Sequence, residues 1–213
     1  MRYKAILFDM DGTLLDTLTD MADAVNHILS VHGWPLRTTE EVRAFVGNGA
    51  RRLMERAVPP EVTGGDFEAV LTEYRDWYQA HNCVATAPYP GIPALLAALA
   101  EAGVKTAVVS NKPDATTKTL AARFFPGLPA FGQRDDVPPK PAPDLVFRAL
   151  ETLGVDAAGA VYVGDSEVDV ATARNAGLPL AAVSWGFRGR RALAEAGAPV
   201  IVDTAAELLE VLR

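Results

Sequence analysis

Only one cysteine, Cys83, occurs in the 213 residues, so no intramolecular disulfide can form. A reducing, cytoplasmic setting is expected, and Cys83 reads as a small apolar side chain rather than a nucleophile. No apolar run approaches the length of a bilayer span, and Met1-Arg2-Tyr3-Lys4 leads at once into a predicted strand, so neither a membrane segment nor a signal peptide is expected. Histidine is scarce too: His27, His32 and His81 are scattered without metal-ligand spacing. Positive charge is in deficit. Five lysines and fifteen arginines face 27 carboxylates, a net charge of −7, which argues against nucleic acid as a partner and requires any anionic ligand to meet a local positive site. Lysine is missing altogether from residues 14–84.

Apolar residues are present in quantity: at 49% hydrophobic, the chain can bury one good core and a smaller satellite. Ala5-Ile6-Leu7-Phe8 is short and flanked by charge, as a buried strand is. Helical spacing follows, with Leu18, Met21, Val25, Ile28 and Leu29 on one face before Gly33-Trp34-Pro35. Thr38-Thr39-Glu40-Glu41 reads as a capping box opening a short helix. Gly47-Asn48-Gly49 is a tight turn ahead of a basic amphipathic helix over about 50–57. Pro59-Pro60 and Gly64-Gly65 bracket a linker, and a last helix covers about 66–81. Residues 16–82 are thus expected to form a helical-bundle cap domain, inserted into an α/β core of residues 1–15 and 83–213. In that core, helices over 92–102, 114–124, 144–153 and up to 176 alternate with strands over 105–109, 160–163, 180–183 and 199–202; a helix from 205 ends the pattern. Such alternation predicts a doubly wound, Rossmann-like parallel sheet.

Chemistry-bearing residues gather where the predicted strands end, the edge at which open α/β sheets bind ligands. Asp9 and Asp11 follow the first strand at i and i+2 and point to the same side, and Gly12 lets the backbone turn away. Two carboxylates at a sheet mouth repel each other unless a cation joins them or one keeps a proton for acid/base work; an acidic Asp-Gly turn is the bland alternative. Ser110-Asn111-Lys112 offers a hydroxyl and an amide suited to phosphate oxygens, or simply a helix-entry loop. In Pro138-Pro139-Lys140-Pro141 one ammonium is held by a stiffened backbone. Gly164-Asp165-Ser166-Glu167-Val168-Asp169 places three carboxylates at a strand-to-helix junction, where the helix dipole alone also favours negative charge. Oxygen ligands at one rim suit a hard cation such as Mg²⁺, while Thr13, Ser110 and Lys140 suit a phosphate.

These four groups, in this order along the whole chain and with helices inserted after the first, resemble the four motifs of the haloacid dehalogenase superfamily. The resemblance implies Asp9 as a nucleophile that becomes an aspartyl-phosphate, and Asp11 as general acid and then general base. It implies Mg²⁺ on the carboxylate of Asp9, the backbone carbonyl of Asp11 and the carboxylate of Asp165. Lys140 would offset negative charge, Gly12, Thr13, Ser110 and Asn111 would hold the phosphate, and Asp169 would support Lys140 or the metal's water from behind. The dehalogenase branch lacks a carboxylate two residues after its nucleophile, so Asp11 argues against it. The lysine-free stretch 14–84 excludes the family's Schiff-base phosphonate route. Val46-Gly47-Asn48-Gly49-Ala50, taken with Asp9 to Leu14 and Ser110-Asn111-Lys112, resembles bacterial phosphoglycolate phosphatases. That implies a small phosphorylated metabolite, first 2-phosphoglycolate, whose carboxylate meets the Gly47-Asn48-Gly49 turn or an arginine. A β-phosphoglucomutase-like transferase, a pyrophosphatase and a non-catalytic binding module are the alternatives; intact Asp9, Asp11, Lys140 and Asp165 argue against the last. Monomer and homodimer both remain open.

Overall fold

Strand β1 (Ala5–Phe8) is buried on both sides, with Ala5 and Leu7 packing into one apolar cluster and Ile6 and Phe8 into another. The computed structural model describes residues 1–213. After β1, the short strand β2 (Leu15–Asp16) leads into four helices: α1 (Leu18–Val31), α2 (Thr39–Phe45), α3 (Gly49–Ala57) and α4 (Gly64–His81). Strand β3 (Ala87–Pro88) brings the chain back. Then come α5 (Ile92–Glu101), β4 (Lys105–Pro113), α6 (Asp114–Phe124), β5 (Ala130–Gln133), α7 (Asp144–Leu153), β6 (Ala160–Gly164) and α8 (Glu167–Ala176). β7 (Leu180–Val183), α9 (Gly189–Glu195), β8 (Ile201–Val202) and α10 (Ala205–Leu212) complete the chain.

Six strands form one parallel sheet in the order β5-β4-β1-β6-β7-β8, which is the doubly wound arrangement expected from the alternation. Helices α5, α6 and α10 cover one face, through Leu95, Leu120 and Leu208, and α7, α8 and α9 cover the other, through Leu145, Ala173 and Leu193. Because β1 is central, its carboxyl end lies between those of β4 and β6, and the sequence's polar groups converge there.

Helices α1–α4 have an apolar cluster of their own, from Leu18 to Tyr78. The capping box at Thr38 and Glu41 is formed as expected. The two crossings between this helical unit and the sheet lie side by side, since β2 and β3 pair antiparallel with Leu15 opposite Pro88. Asp20, 2% exposed, ties the return crossing down: its carboxylate accepts from the backbone N–H of Val84 (3.1 Å), Ala85 (2.8 Å) and Thr86 (2.9 Å), and from the Thr86 hydroxyl (2.7 Å).

The structure departs from the expected elements in four places. Gly64-Gly65 opens α4 instead of belonging to the linker; the first N–H groups of a helix need no intrahelical acceptor, so glycine is tolerated there. β4 runs on through Ser110-Asn111-Lys112 to Pro113, with an irregular register against β5 between Val109 and Pro113. β5 was hidden in a proline-rich loop, a short edge strand whose residues Ala130-Phe131-Gly132-Gln133 carry little alternation. The short helix α9, with Leu193 as its one buried residue, had too little periodicity to be read.

Candidate active site

A cleft of about 340 Å³ separates the carboxyl edge of the sheet from the helical unit. Asp9, Asp11, Ser110, Asn111, Lys112 and Asp165 line it from below; Val46, Gly47, Gly49, Leu53, Tyr74 and Tyr78 line it from above.

Asp9 leaves β1 with its Oδ1 accepting from the Met10 N–H (2.7 Å) and paired with Lys140 Nζ (3.0 Å), while Oδ2 accepts no hydrogen bond. Lys140 is 3% exposed and donates to Asp169 Oδ1 (2.8 Å) and to the Tyr162 hydroxyl (3.0 Å). Asp169 uses its other oxygen to close a capping box on α8, accepting from the Ser166 N–H and hydroxyl. It therefore stands behind Lys140. Asp165 accepts from the Thr13 hydroxyl (3.1 Å) and the Phe187 N–H (2.7 Å). Gly12, at φ +84°, and Gly186 press on the same carboxylate so closely that a methyl group on either would collide with it.

The electrostatics of this cluster show a shortage of positive charge. One oxygen each from Asp9, Asp165 and Asp169 lies within 4.8 Å of the others, and Lys140 is the one ammonium bonded among them. The Asp9 carboxyl is pushed up to about 7, chiefly by burial, with Lys140 opposing the rise and Asp169 and Asp11 adding to it. Burial likewise raises Asp165 well above the usual carboxylate range, helped by Asp169 and Asp9. For Lys140 burial favours the neutral form, but Asp169 and Asp9 together outweigh it and hold the ammonium well above its ordinary value. A compact, all-oxygen set with surplus negative charge fits a hard divalent cation such as Mg²⁺. The Asp11 carboxylate is not in that set: its Oδ1 accepts from the Thr17 hydroxyl (2.7 Å) and pairs with Lys112 Nζ (3.1 Å).

The phosphate-contact candidates sort into two kinds. Ser110 lines the cleft, and its oxygen accepts from the Lys112 N–H (3.2 Å), which leaves its own proton free to donate. Thr13 is buried behind the site on Asp165. The Asn111 amide is engaged throughout: its NH₂ donates to Gly47 O (3.2 Å) and Lys140 O (3.0 Å), and its oxygen accepts from Lys140 N (2.7 Å). It thus ties the Lys140 loop and the helical unit's turn to β4. Gly47 and Gly49 line the cleft whereas Asn48 does not. Arg51 and Arg52 turn outward to Glu68 and Glu55.

Three residues of the site were not singled out in the sequence. Lys112 is 6% exposed and also donates to the Tyr78 hydroxyl (2.8 Å) of α4; its position right after Ser110-Asn111 was the available signal. Tyr162, buried in β6, supports Lys140 and donates to Val109 O (3.1 Å). Arg188 crosses from the sheet to the helical unit, donating to the carbonyls of Arg43 (2.8 Å) and Val46; nothing in the local sequence marks it. Trp185 lies outside the cleft lining and donates its indole N–H to Thr13 O (3.1 Å).

Residues 6–183 match the haloacid dehalogenase-like hydrolase family. Among curated proteins, the chain is 36% identical over its full length to 96% of the N-acetylmuramic acid 6-phosphate phosphatase of Pseudomonas aeruginosa. It is 37% identical to the plasmid-borne phosphoglycolate phosphatase of Cupriavidus necator, over 94% of this chain and 89% of that one. Among solved structures, a Lactobacillus delbrueckii subsp. bulgaricus protein provisionally assigned as a phosphoglycolate phosphatase superimposes with a TM-score of 0.94 at 38% identity. That likeness covers 100% of this chain and 99% of the other. With the motifs, the sheet order and the family match in agreement, the chain belongs to the haloacid dehalogenase-like hydrolases.

Proposed function

We propose that this protein hydrolyses a small phosphate monoester, 2-phosphoglycolate first among them, through an aspartyl-phosphate on Asp9 and with Mg²⁺ as cofactor. The coarser statement, an enzyme that is a phosphoric monoester hydrolase, is common to its named relatives. The observation that carries the reading is the state of Asp9: one carboxylate oxygen is fixed by Met10 N–H and Lys140, and the other is unbonded at the floor of the cleft.

In the proposed reaction Asp9 Oδ2 forms a bond to phosphorus as the ester P–O bond breaks, and Asp11 gives its proton to the leaving alkoxide. Water then attacks phosphorus, passes a proton to Asp11, and the Asp9–phosphorus bond breaks to release inorganic phosphate. Ser110 donates to a phosphoryl oxygen, and Lys140 offsets the charge of carboxylate and phosphate together. Asp169 and Tyr162 hold Lys140 in place, and Thr13, Gly12 and Phe187 N–H hold Asp165. The carboxylates of Asp9 and Asp165, with the Asp11 backbone carbonyl, would bind Mg²⁺, which supplies the charge neutralisation that lets an anionic ester approach an anionic nucleophile. Gly47 and Gly49 close the cleft from the helical side.

A second substrate reading, an amino-sugar phosphate, is favoured by the full-length likeness to a muramic acid phosphatase and by a cleft roomier than a two-carbon acid requires. The test is phosphate release in Mg²⁺ from 2-phosphoglycolate, N-acetylmuramic acid 6-phosphate, β-glucose 1-phosphate and pyrophosphate. Asp9→Asn is the control, expected to lose about 10⁴-fold or more. Preference for 2-phosphoglycolate supports the first reading and preference for the amino sugar the second. Preference for pyrophosphate, or sugar-to-sugar transfer without phosphate release, would replace both.

A further inference from the structure

Lys112 has no part in the chemistry just described, yet it is a buried ammonium in the substrate cleft. Its ammonium carries three protons and has two neighbours, Asp11 Oδ1 at 3.1 Å and the Tyr78 hydroxyl at 2.8 Å. The other cations lining the cleft are differently placed. Arg75 is exposed at the mouth, and Arg188 is engaged by Glu167 and the carbonyls of Arg43 and Val46. Lys112 is therefore the one buried cation able to meet a second negative group on a bound ester. Its present partner is a carboxylate, and that carboxylate already has a donor in Thr17 at 2.7 Å. Both candidate substrates of the proposed function, on which this inference rests, are carboxylic acids as well as phosphate monoesters.

We propose that Lys112 is the residue that reads the substrate: its ammonium takes a carboxylate on the non-reacting part of the phosphate ester, in exchange for Asp11, with the Tyr78 hydroxyl beside it. The exchange has a second consequence. Asp11, released from Lys112, is free to turn to the leaving oxygen, so an ester without a carboxylate leaves the acid/base group held by the lysine. Specificity and readiness for proton transfer then come from one ammonium.

Calorimetric titration with Mg²⁺ present, on the Asp9→Asn enzyme so that no ligand is consumed, separates binding from turnover. Two matched ligand pairs are used: 2-phosphoglycolate against ethyl phosphate, and N-acetylmuramic acid 6-phosphate against N-acetylglucosamine 6-phosphate. The acid of at least one pair is expected to bind more tightly than its partner, and Lys112→Gln in the same background to abolish that difference, a loss of about 30-fold. A parent that binds acid and neutral ester equally overturns the proposal, as does a preference that survives Lys112→Gln. Should Lys112→Gln not fold, Asp11→Asn decides: removing the competing carboxylate is expected to tighten the acid about 5-fold and leave the neutral ester unchanged. Equal effects on both ligands there also overturn it. A wild type that hydrolyses neither pair sinks the proposed function, whereas the binding comparison judges Lys112 alone.

Discussion

Charged side chains are used in opposite ways by the sheet and by the four-helix unit. At the carboxyl edge of the sheet, Lys140 and Asp169 face each other with 2% and 1% of their side chains exposed, and Asp9 and Asp165 crowd the same space. On α3 and α4, Arg51 and Glu68 make an equally short pair, at 2.7 Å, with about half of each side chain in water. Distance alone would rank the two alike. Burial decides between them: removing one member of a buried set leaves uncompensated charge in a low-dielectric interior, while water takes over from a lost surface partner. The contrast also separates roles, since the buried set faces the cleft and the surface pairs only decorate helices that α1–α4 hold together through apolar contacts.

The largest break in this comparison should come from Lys140→Met. Two buried carboxylates, Asp9 and Asp169, lose the ammonium they pair with, so urea unfolding in a chelator should show a loss of about 3–5 kcal/mol. Added Mg²⁺ should restore part of it by binding the folded state alone. A variant as stable as the parent would show that the buried set carries no such debt of charge. Asp20→Ala comes next, because it is a buried carboxylate in the helical unit that serves backbone rather than chemistry. Loss of its bonds to residues 84–86 should cost about 2–3 kcal/mol and speed amide exchange of Val84, Ala85 and Thr86. Unchanged exchange there would mean the return crossing is held by β2–β3 pairing instead. The smallest effect is expected from Arg51→Ala, whose unfolding midpoint should be indistinguishable from the parent's; a clear drop would mean that the surface pairs matter after all.

Much of the site was legible before the fold was seen, for a local reason. Asp9, Asp11 and Gly12 sit at the end of an apolar strand, Asp165 and Asp169 at the start of a capped helix, and such junctions depend on neighbours within a few residues. Helix α7 is legible from periodicity because its buried face, Leu145, Val146, Ala149, Leu150 and Leu153, is apolar along its whole length. Short pieces were not: β5 and α9 hold their places by what packs on them. Thr13 and Asn111 belong to the same motifs, yet their side chains turn to Asp165 and to the Lys140 loop, contacts between residues 152 and 29 positions apart that no local pattern contains. Arg188 is a still clearer case, reaching 145 positions back to the Arg43 carbonyl.

By itself, then, the sequence determined the alternation that makes a parallel sheet, the helical insertion and the carboxylates at strand ends, because each follows from side-chain period and turn chemistry over short range. Tertiary structure alone decided which polar atoms remain free. Asp9 Oδ2 and the Ser110 proton are left open at the cleft, and Asp11 and Lys112 are locked together under Tyr78, because those partners arrive from separate strands and helices through packing of apolar faces that encode no polar contact.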